Sequence, residues 1–173
     1  FGQSLAYGDT GSVIFANSIC GARSNFEGGP AALAASLTGL VPEYGFHLDH
    51  IRKPNILFNC ELDLKDLSDY GALGAFIGRS VSGYWDVPLI KFSNIIKPTT
   101  DELKHLGTSL ASYGSIALFH IDELTPEFFD KKIYNTNNIK SEILVTNKNI
   151  NKIYEEENFE GNEPDIVVFS APQ

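Results

Sequence analysis

The chain has 173 residues, 43% of them hydrophobic and 12% aromatic, which is enough to pack one sizeable α/β domain over residues 1–173. Thirteen lysines and arginines face 22 aspartates and glutamates, a net charge of −9, so no basic stripe exists to neutralise nucleic-acid phosphates or an anionic membrane. No apolar run is long enough for a bilayer and no charged-then-apolar leader opens the sequence, so the expected setting is cytoplasmic.

Asp9 is placed to cap a first helix over residues 10–18, which Gly21 closes. Residues 17–30 follow as N-S-I-C-G-A-R-S-N-F-E-G-G-P, too polar for a core. Residues 30–38 are rich in helix formers, carry Pro30 at a tolerated first-turn position and end at Gly39, and they read as a short buried helix. A helix opening at Gly29 offers free backbone N–H groups and a partial positive end to an anion. Arg23 can grip a carboxylate or phosphate in bidentate fashion, Ser24 and Asn25 supply neutral hydrogen bonds, and Gly28 and Gly29 admit a ligand to the backbone. Asn17 and Ser18, on the last turn of the first helix, stand next to Arg23. The group forms an anion cradle. The same composition also fits a plain polar loop in which Arg23 and Glu27 pair with each other. A nucleotide or sugar-phosphate loop at Gly28 and Gly29 is a weaker alternative, because the strand, glycine loop, helix order of such folds is missing.

Residues 40–49 form a loop with Glu43, Tyr44, His47 and Asp49. One histidine and one carboxylate fall short of a metal-ligand set, so no metal is assigned and a hydrogen-bonded structural His47 is the simpler reading. Residues 55–62 have the bounded apolar pattern of a strand. Residues 66–78 read as a glycine-interrupted helix capped by Asp66 or Ser68, its glycines allowing close packing on the sheet. Trp85, the single tryptophan, lies in a turn-like S-G-Y-W-D-V-P as a partly buried anchor or, with Tyr84, as a partner surface. A short strand over 87–92 precedes a helix that Thr100 caps, with Leu103, Leu106, Leu110 and Tyr113 as its buried face and Gly114 as its stop.

Residues 115–121 read as a continuous buried strand, and His120 at its end is either ligand-facing or a satisfied structural histidine. Thr125 and Pro126 start a further helix, a strand is expected over 142–146, a helix over 151–157, and a last core strand over 165–170. Cys20 and Cys60, in different elements and without ligand-pair spacing, read as buried free thiols. The alternation of helices and apolar strands predicts a layered α/β sandwich with a largely parallel sheet.

The run Y-G-D-T-G-S-V-I-F-A-N-S-I-C-G-A-R-S-N-F-E-G-G-P-A-A-L-A-A-S-L-T-G, followed by P-E-Y-G-F-H-L-D, resembles the aconitase X family, the outlying branch of the aconitase superfamily. Its R-S-N-F-E-G-G core is similar to the R-N-F-E-G stretch of aconitases and isopropylmalate isomerases, where the arginine region holds a substrate acid group. The resemblance continues through D-L-S-D-Y-G-A-L-G, D-E-L-K-H-L-G, G-S-I-A-L-F-H and T-P-E, to about Glu127.

The resemblance implies an α/β/α aconitase-like fold and dehydration of a small anionic hydroxy acid. The implied substrates are (R)-mevalonate 5-phosphate for archaeal-type members and cis-3-hydroxy-L-proline for bacterial ones. The stretches H-L-D-H-I-R-K-P and D-E-L-K-H-L-G are closer to the archaeal branch. It also implies an iron or iron–sulfur cofactor held by cysteines, and a small swivelling domain, as subunit or fused, that brings the proton-abstracting serine. The shared G-x-H-L-D adds His47 to the expected substrate-lining set of Asn17, Ser18, Arg23, Ser24, Asn25, Gly28 and Gly29. One departure concerns iron: the family's G-C-P-H-like turn corresponds to Ser170-Ala171-Pro172-Gln173, and Ala171 cannot ligate a metal. Another family cysteine falls upstream of Phe1, so the chain is expected to be part of a longer polypeptide that completes the site. The alternative is a non-catalytic relative that keeps the anion pocket.

Overall fold

Four apolar segments pair as an all-parallel sheet in the computed structural model, which describes residues 1–156 together with 161, 163 and 166. They are β1 (Ile56–Glu61), β2 (Pro88–Phe92), β3 (His120–Ile121) and β4 (Ser141–Thr146), in the order β3-β2-β1-β4. Central β1 places Phe58 opposite Ile90 on one side and Ile143 on the other. Alternate residues of β1, namely Ile56, Phe58 and Cys60, enter one buried cluster. They meet Leu73 and Ile77 of α3 (Leu67–Ser80), Leu106 and Leu110 of α4 (Thr100–Gly114), and Ile150 and Ile153 of α5 (Asn147–Glu156). A parallel sheet flanked by helices is the layered α/β architecture that the alternating pattern predicts.

Helix ends follow local chemistry. Asp9 caps α1 (Thr10–Ser18) by accepting from the Ser12 amide at 2.7 Å, and Asp66 caps α3 by accepting from Ser68 and Asp69. The α4 cap is Thr99, not Thr100, because only Thr99 lets the Glu102 carboxylate reach back to the cap amide (2.6 Å) while its own hydroxyl accepts from Glu102 N. The glycines of α3 serve contact with α4 rather than with the sheet. A Cβ on Gly74 would stand 2.7 Å from Leu106 O, so the two helices approach more closely than any side chain permits.

Several expectations are corrected. The strand expected over 115–121 shrinks to His120–Ile121, although Ile116, Ala117, Leu118 and Phe119 are fully buried. Side chains of α1 take the backbone groups a strand would use: Asn17 Nδ2 donates to Ala117 O and Ser18 Oγ accepts from Phe119 N. Past β3, Thr125 spends its hydroxyl on Ile121 instead of capping, and Pro126–Phe129 is a single 3-10 turn. Helix α5 starts four residues before the expected position, at Asn147. Helix α2 (Gly28–Thr38) forms as expected but is not buried: Leu33 is 61% and Leu37 79% exposed. Small apolar residues make a helix; burial needs neighbours on its face, and the described residues reach only its first turn and half-bury Ala32 and Ala35. Among the described residues no helix is long and apolar enough to cross a membrane. The strand expected over 165–170, Glu157 and Ala171 lie outside the described residues.

Candidate functional site

The loop between α1 and α2 is built around two buried asparagines. Asn17 Nδ2 donates to Ser24 O (2.7 Å) and Ala117 O (2.8 Å), while its Oδ1 accepts from Ser24 N (2.8 Å). Asn25 Oδ1 accepts from Phe46 N (2.7 Å) and its Nδ2 donates to Tyr44 O (3.1 Å), sewing the loop to the segment that carries His47. Ser18 accepts from Phe119 N, and the Ser24 hydroxyl donates to Asn25 O. Asn17, Ser18, Ser24 and Asn25 are all buried, and these polar atoms are satisfied within the protein. Four of the eight expected site residues therefore form the frame of the loop.

Arg23 and His47 carry the polar edge of that frame. The Arg23 backbone bridges to Ser4, and its side chain is 14% exposed. Nη1 donates to His47 O at 3.1 Å and Nη2 pairs with Asp49 Oδ1 at 2.5 Å, with the Asp49 side chain 51% exposed. The guanidinium is thus neither loose in solvent nor sealed inside. Arg23 and Glu27 do not pair with each other, contrary to the plain-loop reading. Glu27 Oε1 instead meets His47 Nε2 at 3.1 Å, with both side chains nearly buried, and His47 Nδ1 is buried without a partner. His47 consequently ties Arg23, through its carbonyl, to the residue that immediately precedes α2, through its ring.

Glu27 does not cap α2, and no other side chain among the described residues does, so its first-turn amides lack a side-chain acceptor, while Gly8 packs against the backbone of Gly29. Gly28 has φ +68, which only glycine adopts without strain, and space is open around both Gly28 and Gly29. A cleft of about 130 Å³ beside Gly28 is lined by Tyr7, Asp9, Thr10 and Phe26; Arg23 does not line it. Arg23 and the start of α2 are thus linked through His47, with the Arg23 guanidinium engaged by His47 O and Asp49.

His120 faces inward, not toward a ligand. It is 1% exposed, donates from Nε2 to Arg52 O at 2.8 Å, and burial pulls its pKa down to about 4. The sequence reading missed its neighbours Arg52 and Glu127. The Arg52 side chain is wholly buried: Nε donates to Glu127 Oε1 (2.6 Å), Nη1 to Phe46 O (2.7 Å), and Nη2 to Ala22 O (3.0 Å) and Asn17 O (3.2 Å). Burial pushes Arg52 down and Glu127 up, and their mutual attraction pulls each back, so the guanidinium stays charged. No local signal marks Arg52, since its partner lies 75 positions away. Glu27 was legible within R-S-N-F-E-G-G.

The described residues do not fit an iron centre. Among them no three His, Cys, Asp or Glu side chains gather. Cys60 is buried with its thiol pushed up to about 12 by desolvation, whereas Cys20, expected to be buried, is exposed because α1 ends before it.

Two family models align with the chain: the aconitase X first domain over residues 1–50 and the aconitase X second domain over residues 54–155. The phosphomevalonate dehydratase large subunit of Methanosarcina mazei is 37% identical over 172 residues, 99% of this chain and 40% of that protein. The cis-3-hydroxy-L-proline dehydratase of Pseudomonas aeruginosa, a more distant match, is 34% identical over 73% of this chain and 22% of its own length. A crystal structure of Thermococcus kodakaraensis aconitase X in its holo form superposes with a TM-score of 0.80 at 36% identity, over 90% of this chain and 38% of that one. The chain thus spans between 30% and 43% of the length of the phosphomevalonate dehydratase large subunits it matches. With its fold, its R-S-N-F-E-G-G loop and both domain models in agreement, the chain belongs to the aconitase X family.

Proposed function

We propose that the chain is the acid-holding part of a cytoplasmic hydro-lyase that removes water from a small anionic hydroxy acid, with (R)-mevalonate 5-phosphate as the substrate in an isoprenoid-forming mevalonate pathway. The observation that carries this reading is the link through His47 between Arg23 and the start of α2. A phosphate or carboxylate lying there would accept from Arg23 and from amides of Gly28 and Gly29, while Asn17, Ser18, Ser24 and Asn25 keep the loop in register. Identity near 37% over almost the whole chain to phosphomevalonate dehydratase large subunits favours the phosphorylated substrate. Cis-3-hydroxy-L-proline, the substrate named for relatives that match over a smaller share, is the alternative. In the complete protein, iron or an iron–sulfur cluster would be held outside the described residues, and a small subunit or fused swivelling domain would supply the base.

The test is an assay of the complete subunit with its small partner, loaded with iron under anaerobic conditions and offered each hydroxy acid. Dehydration of (R)-mevalonate 5-phosphate is expected, and Arg23→Ala should abolish substrate binding without unfolding the protein. Turnover that survives Arg23→Ala overturns the cradle; stoichiometric absence of iron and of turnover from the complete complex would favour a non-catalytic relative.

A further inference from the structure

At the end of the sheet where the parallel strands begin, a cavity of about 320 Å³ opens between His50, Lys53, Asn55, Trp85, Asn138 and Lys140. It lies where the two family models meet, with His50 at the end of the first, Lys53 between the two and Asn55, Trp85, Asn138 and Lys140 in the second, a setting in which ligand sites recur. Its volume suits a small ligand.

Three basic side chains converge here on a chain whose net charge is −9. No carboxylate among the described residues pairs with His50, Lys53 or Lys140. Two nearby carboxylates, Asp49 beside His50 and Asp86 beside Trp85, have other partners. Asp49 holds Arg23, and Asp86 accepts from Asn55 Nδ2 (3.1 Å) and Ser82 N (2.7 Å). The floor is rigid, because Asn55 also accepts from Val87 N through its side chain and from Lys140 N through its backbone.

Trp85 supplies the apolar wall. Its indole is packed by Tyr84 (centroids 4.6 Å apart), Phe46 (5.6 Å) and Tyr44 (5.7 Å), yet remains 46% exposed. A rigid half-exposed ring beside uncompensated ammonium groups combines stacking with anion recognition.

We propose that this cavity binds a ligand of the nucleotide class, its flat base laid on Trp85 and its phosphate held by Lys53, Lys140 and His50. The site is separate from the Arg23 cradle and its existence does not depend on the dehydratase reading.

Calorimetric titration of the complete subunit with AMP, adenosine, ribose 5-phosphate and inorganic phosphate tests this. AMP should bind at least about tenfold more tightly than adenosine or phosphate, since only AMP engages ring and cations together. The double change of half-buried Lys53→Glu with exposed Lys140→Glu should weaken AMP by at least about tenfold at unchanged melting temperature. Trp85→Leu should weaken AMP but not ribose 5-phosphate, and Arg23→Ala should leave AMP unaffected. AMP that binds no better than phosphate, that is indifferent to the lysine changes, or that is lost with Arg23→Ala overturns the proposal. So does a subunit that binds none of the probes and melts earlier with the lysine changes, the pattern of an acidic protein segment filling the cavity.

Discussion

Arg52 and Glu127, 75 positions apart in the chain, meet at 2.6 Å with both side chains at most 1% exposed, and the remaining guanidinium protons run to the carbonyls of Asn17, Ala22 and Phe46. One buried cation thus fixes the stretch from Asn17 to Ala22 that leads into Arg23, and the segment that carries His47. Removing either partner leaves an uncompensated buried charge, so Arg52→Ala or Glu127→Ala should cost about 3–5 kcal/mol, read by urea denaturation. A loss of under about 1 kcal/mol would show that water reaches the pair.

The His120 histidine gives this cluster an acid limit. Its folded pKa, about 4, lies below the ordinary 6.5, chiefly through desolvation, and its unpartnered Nδ1 offers a second proton no acceptor. The stability it contributes is therefore complete above pH 6.5 and is lost as pH falls through about 4, by about 3 kcal/mol at most. Glu127, raised mainly by burial, acts in the opposite sense, its contribution falling as pH rises. Comparing denaturation midpoints of wild type and His120→Gln between pH 7 and pH 4 isolates the histidine; parallel curves would contradict its assignment.

Gly74 should tolerate nothing larger. An added Cβ would lie 2.6 Å from Ser109 Cβ as well as 2.7 Å from Leu106 O, and neither can withdraw without moving α4. Gly74→Ala should destabilise by about 1–3 kcal/mol in thermal melts, although alanine is the better helix former. A stabilised variant would mean that the helices sit further apart than described.

Asp49 competes with any acid for Arg23. Its carboxylate is half exposed, so the pair is a weak one, and Asp49→Asn should tighten binding of the anionic substrate about two- to fivefold, with less effect at high salt. Isothermal titration at two ionic strengths checks this; weaker binding would make Asp49 a positioning group for Arg23 rather than a competitor.

The sequence by itself determined the local elements and the motif. Asp9 and Asp66 at helix starts, the apolar runs of β1 and β2, and the leucines of α4 act through neighbours a few residues away, so their outcome is written in the order of the residues. The R-S-N-F-E-G-G loop was legible for the same reason, as part of the longer run that carries the family resemblance. Only the tertiary structure decided who partners whom. Asn17 and Ser18 halted the expected strand at 115–119, Arg23 chose Asp49 over Glu27, Glu27 chose His47, and Arg52 went to the core. Those choices follow from which groups burial strips of water and which partner is then within reach, and reach across 75 residues of chain is set by the fold, not by spacing.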